Sequence, residues 1–156
     1  MQFKINVDAA LSKSDLKVSA ATIARDENGC FLGASAMVLR GISDPEVMES
    51  IACREGMSLV LDIQVANFRL ASDNQNVVKN ILQGSQGVYG QIVQEINTRR
   101  SAFASVEFVH EKGNSNVDAH TIARSAIYDD LGRHVWLLSP LMVFVTPTRL
   151  LINKDV

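Results

Sequence analysis

Apolar and polar residues alternate with period two along Phe3-Lys4-Ile5-Asn6-Val7-Asp8, the signature of a half-buried strand. Leu16 to Arg25 and Cys30 to Leu39 read as two further strands. Between them, Asp26-Glu27-Asn28-Gly29 is a turn with glycine where positive φ is tolerated. Three strands on short connections predict an antiparallel meander.

The period then changes. Ser43-Asp44-Pro45-Glu46 carries a capping residue, an early proline and early acids, the marks of a helix start. Met48, Ala52, Leu59 and Ile63 recur at helical spacing, with Ile51 and Gly56 adding to that face. This helix is expected to end near Ala66-Asn67. Phe68 to Ala71 is a short apolar strand, Asn74 to Leu82 a second helix and Val88 to Arg100 a third. Ala104 to Val109 is a fifth strand and Val117 to Tyr128 a last helix, while Gly84 to Gly87 and Lys112 to Asn116 are loops. This order predicts an α/β domain, a mixed sheet covered by helices. The domain is placed at residues 1–132, with 133–156 a C-terminal tail of no assigned structure.

A chain of 156 residues with 47% hydrophobic content fits one globular domain and excludes a disordered one. The net charge of −2 lacks the basic excess of a tight non-specific nucleic-acid binder, but it is compatible with a local basic patch beside an acidic pocket. Cys30 and Cys53 give neither a disulfide framework nor a CxxC pair. They read as two buried thiols in a reducing, intracellular compartment, nucleus or cytoplasm. Alternation from the first residues reads as a strand and not as a signal peptide, so no leader is expected. The apolar run Leu137 to Leu151 contains Pro140, Pro147 and Arg149 and is too short for a membrane span, so no membrane role is expected. It is expected instead to pair with the sheet edge or with another chain, a route to a protein partner or to self-association.

Three acids stand at informative places. Asp8 ends the first alternating run, Glu49 lies near the start of the long helix, and Asp73 follows the fourth strand. Singly, each has an ordinary use, as a strand-end acid, a helix N-terminal charge and an N-cap. Together, in this element order, they can converge at one sheet edge, where α/β proteins bind ligands.

Four segments carry a resemblance. Asn6-Val7-Asp8-Ala9-Ala10, Met48-Glu49-Ser50-Ile51-Ala52, Leu70-Ala71-Ser72-Asp73-Asn74-Gln75 and Asn116-Val117-Asp118-Ala119-His120-Thr121-Ile122-Ala123 resemble, in order, the four motifs of type-1 ribonuclease H. The likeness is greatest to plant ribonuclease H-like domains related to the reverse transcriptases of retroelements. Gly132-Arg133-His134-Val135-Trp136-Leu137 is similar to the tail of grass members. The resemblance spans about Lys4 to Trp136. It implies a ribonuclease H-like fold with a five-stranded mixed sheet, three antiparallel strands then two parallel, flanked by helices. It also implies a two-metal Mg²⁺ site, with Asp8, Glu49 and Asp73 on three of the family's four metal-binding carboxylates. The activity implied is endonucleolytic hydrolysis of the RNA strand of an RNA–DNA hybrid. The residue types suit that chemistry, because Mg²⁺ favours carboxylate oxygen. Two ions about 4 Å apart can stabilise the attacking and leaving oxygens of an in-line displacement.

The sequence also departs from the pattern. His120 stands where the fourth carboxylate is expected, which weakens Mg²⁺ binding and favours Mn²⁺. Asp118 is two residues earlier, about 200° around a helix, and can replace the missing acid only if the helix starts after it. His120 otherwise serves as an outer ligand or proton carrier. His110 matches a loop histidine that assists the family's chemistry, and Gln75 and Asn116 match substrate-binding positions. Ala9 replaces a glycine beside the substrate backbone, and Asp44 and Glu46 add acids that would repel phosphate. Lys79, Arg99, Arg100, Lys112 and Arg124 are the candidate phosphate contacts. Two functions follow: a metal-dependent ribonuclease H, or a catalytically impaired module that keeps nucleic-acid or protein binding.

Overall fold

The computed structural model describes residues 2–14, 16–84 and 87–137. Strands β1 (Phe3–Ser12), β2 (Lys17–Arg25) and β3 (Phe31–Arg40) form the antiparallel meander that the alternation predicts. On the other side of β1, β4 (Asn67–Ser72) and β5 (Ser105–His110) run parallel to it. The α/β class and the mixed sheet are as expected, but the sheet has six strands rather than five. β6 (Gly132–Leu137) pairs antiparallel with β3, giving the order β5-β4-β1-β2-β3-β6. Arg133 and His134 hide this strand from a hydropathy reading. Yet Arg133 Nε donates to buried Glu55 Oε2 at 2.8 Å and Arg133 Nη2 to Asp62 Oδ2 at 2.6 Å, fastening β6 to the long helix.

That helix, α1 (Pro45–Ile63), starts where Asp44 accepts from the backbone N–H groups of Glu46 and Val47. It ends earlier than expected because Gln64 adopts a left-handed conformation with φ 59°. α2 (Gln75–Gln83), α3 (Gly90–Arg100) and α4 (Val117–Ala126) complete the fold.

The helices cover both faces of the sheet. On one face α1 packs on Ile5, Val7 and Leu70, with α2 and α3 adding Val77, Ile81, Val93 and Ile96. Gly56 permits this approach, since a Cβ there would lie 2.9 Å from Leu70 Cδ1 and 3.0 Å from Val7 Cγ1. On the opposite face, α4 lays Ala119, Ile122, Ala123 and Ala126 on Ala21, Ala34 and Ala36. These small side chains let the helix sit close to the strands. Burial of a side chain such as Leu59 or Ile122 contributes about 2 kcal/mol.

Cys53 is buried as expected, but Cys30 is exposed in the β2–β3 turn region. Among the described residues no helix is long and apolar enough to cross a membrane. From residue 138 onward, the apolar run expected to find a partner lies outside the described residues.

β1 and β4 are paired only from Phe3–Phe68 to Asn6–Ala71. Past that point β1 continues while β4 gives way to α2. The two parallel strands therefore part at their carboxyl ends, the position at which α/β sheets bind ligands.

Candidate metal centre

Asp8 lies two residues beyond the last β1–β4 pair and is buried. Glu49, on α1, is equally buried and bridges the gap between the two strands. Its Oε1 accepts from the Ala9 backbone N–H at 3.1 Å, and its Oε2 accepts from the Ser72 hydroxyl at 3.0 Å. Asp73 follows β4 and is exposed. One oxygen of each of the three carboxylates lies within 4.8 Å of the others.

Such crowding makes ionisation costly. Burial, then the hydrogen bond and charge of Asp8, then the charge of Asp73, push Glu49 up to about 9, against a smaller lowering by Ser72. Asp73 is also raised, by partial desolvation of its carboxyl beside the cluster and by the charge of Asp8. His120 and His110 pull it the other way, so both rings act on this carboxylate. Beneath the cluster, burial first and then the charge of Glu49 push the Cys53 thiol well up. A divalent cation would relieve the repulsion among the three acids. The donor set is all carboxylate oxygen, which fits a hard ion such as Mg²⁺ or Mn²⁺.

The histidines stand on the open side. His120 Nδ1 donates to Asp8 Oδ2 at 2.8 Å while its side chain stays 58% exposed. His110 is exposed at the end of β5. Asp118 does not take the fourth acidic place. α4 begins at Val117, so Asp118 sits inside its first turn, and Arg25 Nη2 holds its Oδ2 at 2.6 Å.

The residues matched to substrate contacts lie in different settings. Gln75 is exposed in the first turn of α2. Asn116 is buried, and its Nδ2 donates to the Val7 carbonyl oxygen at 2.7 Å. Lys79, Lys112 and Arg124 are exposed. Arg99 is engaged by Glu95 at 2.7 Å and by the Ser58 hydroxyl at 3.2 Å. Arg100 donates to the Val106 carbonyl and lies over the Phe108 ring. Glu46, expected to repel phosphate, instead accepts from Tyr89 at 2.8 Å and from Asn76 at 3.0 Å. Asn80 Nδ2 in turn donates to the Tyr89 hydroxyl.

Sequence reasoning missed Ser72 and Arg25. Ser72 orients Glu49 and also accepts from the Asn74 backbone N–H at 3.1 Å. The only signal for it was a hydroxyl directly before Asp73. Arg25 had none, since its partner Asp118 is 93 residues away.

Residues 6–126 match the family model described as reverse transcriptase-like. No curated protein matches the chain. Among solved structures the fold is similar to RNase H1 from the halophilic archaeon Halobacterium salinarum, with TM-score 0.75 and 14% identity over 83% of this chain and 100% of that one. It is similar to the N-terminal RNase H domain of a Mycobacterium tuberculosis protein, with TM-score 0.71 and 13% identity over 81% and 93%. It is also similar to LC11-RNase H1, solved in complex with RNA/DNA hybrid, with TM-score 0.70 and 16% identity over 80% and 96%. At these identities the likeness establishes the fold, which is RNase H-like.

Proposed function

The chain belongs to the reverse transcriptase-like family, and from that premise we propose an RNase H-like nucleic-acid-binding domain that hydrolyses the RNA strand of an RNA–DNA hybrid with a divalent cation. The observation that carries this reading is the convergence of Asp8, Glu49 and Asp73, with one oxygen of each within 4.8 Å of the others, where β1 and β4 part. The RNA/DNA hybrid bound in the complex of a structurally similar RNase H1 supports the substrate class.

Asp8, Glu49 and Asp73 would hold Mg²⁺ or Mn²⁺. The chemistry such an ion would supply is positive charge against the scissile phosphate and activation of a water. The chain's own residues prepare the site. The Ala9 N–H and the Ser72 hydroxyl fix both oxygens of Glu49, so the carboxylate is oriented before any ion arrives. His110, whose charge acts on Asp73, would carry a proton. Gln75 offers an amide to the nucleic acid, and Lys79, Lys112 and Arg124 offer phosphate contacts. The RNA 2′-hydroxyl is the group by which such a site tells RNA from DNA.

A second reading, a binding module without efficient turnover, is favoured by the His120–Asp8 hydrogen bond, which stands where a fourth carboxylate would complete the centre. Incubation with a labelled RNA–DNA hybrid in Mg²⁺ or Mn²⁺, with Asp73→Asn as control, separates the two. Cleavage abolished by the substitution supports the enzyme. Binding without cleavage in either metal supports the module.

A further inference from the structure

We infer that the centre of the free chain takes one divalent cation and not two, and that His120 occupies the second ion's place through its hydrogen bond to Asp8. This deepens the proposed function and rests on it only for the kind of ion.

The ligand atoms around Asp8 divide by direction. Two ions about 4 Å apart would each need hard oxygen ligands of their own. Asp8 has neighbours on two sides. On one side it faces Glu49, which comes from α1 on one face of the sheet, and Asp73 from the end of β4. On the other side it faces α4, which packs on the opposite face of the sheet. There its Oδ2 already accepts a ring N–H from His120 at 2.8 Å. A cation on that side would meet a proton where it needs an oxygen.

No other acid on α4 compensates. Asp118 points about 200° around the helix from His120 and is held by Arg25 at 2.6 Å. Bringing it round would break that pair and unwind the first turn of α4. Glu49 cannot serve the α4 side either, because Ala9 and Ser72 hold both its oxygens across the gap between β1 and β4. Two divalent ions would also bring four positive charges to three carboxylates. On the side of Asp73 and Glu49, by contrast, three carboxylates and open solvent suit one ion that keeps several waters.

Counting bound Mn²⁺ tests the inference, using the electron paramagnetic resonance of free Mn²⁺ during titration of the full chain without nucleic acid. The wild type is expected to bind one Mn²⁺ per chain through the millimolar range. His120→Asp is expected to bind two, because it replaces the ring with a carboxylate at an exposed position. His120→Ala is expected to stay at one, which separates gain of a carboxylate from loss of the ring. Two ions on the wild type, none at all, or no second ion on a folded His120→Asp would overturn the inference. Should His120→Asp not fold, the counts on the wild type and His120→Ala decide it, two on either being fatal. The outcomes are distinct from those for the function. One bound ion without hybrid cleavage defeats the enzymatic reading alone, whereas two bound ions with cleavage defeat this inference alone.

Discussion

Asn116 Nδ2 donates to the Val7 carbonyl oxygen at 2.7 Å, joining the residue before α4 to the residue before Asp8. This bond sets the position of α4 along β1, and with it the meeting of His120 and Asp8. Asn116 is 2% exposed, so water cannot replace a lost amide. Asn116→Ala is expected to leave the Val7 oxygen buried without a donor and to cost about 1–3 kcal/mol. Urea unfolding measures the cost. A loss below about 0.5 kcal/mol, the size of an ordinary surface change, would show that the bond does not hold the two elements together.

Glu49 makes the metal-free protein sensitive to pH. Its value is pushed up from 4.5 to about 9, so the folded chain keeps a proton that the unfolded chain releases. The corresponding stability is fully present below about pH 4.5 and is lost as pH rises toward about 9. Asp73, also raised, adds in the same sense. A divalent cation binds the ionised form, so its stabilising effect should grow over the same range. Glu49→Gln is expected to flatten the metal-free profile and to remove the stabilisation by Mn²⁺. Thermal melts at a series of pH values, with and without Mn²⁺, give both comparisons. A wild-type profile no steeper than that of Glu49→Gln would contradict this account.

The fold class and the places of the three acids were legible in the sequence because both rest on local order. Strand-like alternation names β1, apolar runs name β4 and β5, and an acid at the end of a run is visible without knowing its neighbours. What was hidden depends on partners distant in sequence. The fate of Asp118 turns on Arg25, and the interior role of Asn116 turns on Val7, 109 residues away. Glu46 read as a free acid because nothing local announces that Tyr89 and Asn76 hold it. β6 was hidden for the same reason, since Arg133 looks like a surface residue until Glu55 and Asp62 stand beside it.

Arg133 is expected to hold β6 against α1 through these two acids. Glu55 is 4% exposed and accepts on Oε2 from both Arg133 and the Ser35 hydroxyl. Arg133→Met would leave a buried carboxylate with the hydroxyl alone. The expected cost is about 2 kcal/mol, below that of breaking a fully buried pair because the Arg133 side chain is 30% exposed. Trp136, on the same strand, reports the position of β6 by its fluorescence. In Arg133→Met the Trp136 transition should move to lower urea than the loss of helical circular dichroism. Coincident transitions in the variant would mean that β6 is held by its ladder with β3 and not by the arginine.

Lys112 and Arg124, and not Arg99, are the side chains expected to meet nucleic acid. Lys112 precedes Gly113, where a Cβ would lie 3.9 Å from Asp73 Oδ2, so the Lys112 loop borders the centre. Arg124 is one turn beyond His120 and exposed, on the same side of α4. Arg99, by contrast, is paired with Glu95 and bonded to Ser58. Neutralising a phosphate releases counterions, so each true contact adds about one unit to the slope of log affinity against log salt. Lys112→Ala and Arg124→Ala are each expected to reduce that slope by about one on an RNA–DNA hybrid whose RNA carries 2′-O-methyl groups and is not consumed. Arg99→Ala is expected to leave the slope unchanged while lowering the melting temperature, because its work lies between α1 and α3. Fluorescence anisotropy over a range of salt concentrations measures all three. A slope that falls for Arg99→Ala but not for Lys112→Ala or Arg124→Ala would move the nucleic-acid path to the α3 side of the molecule and away from the carboxylates.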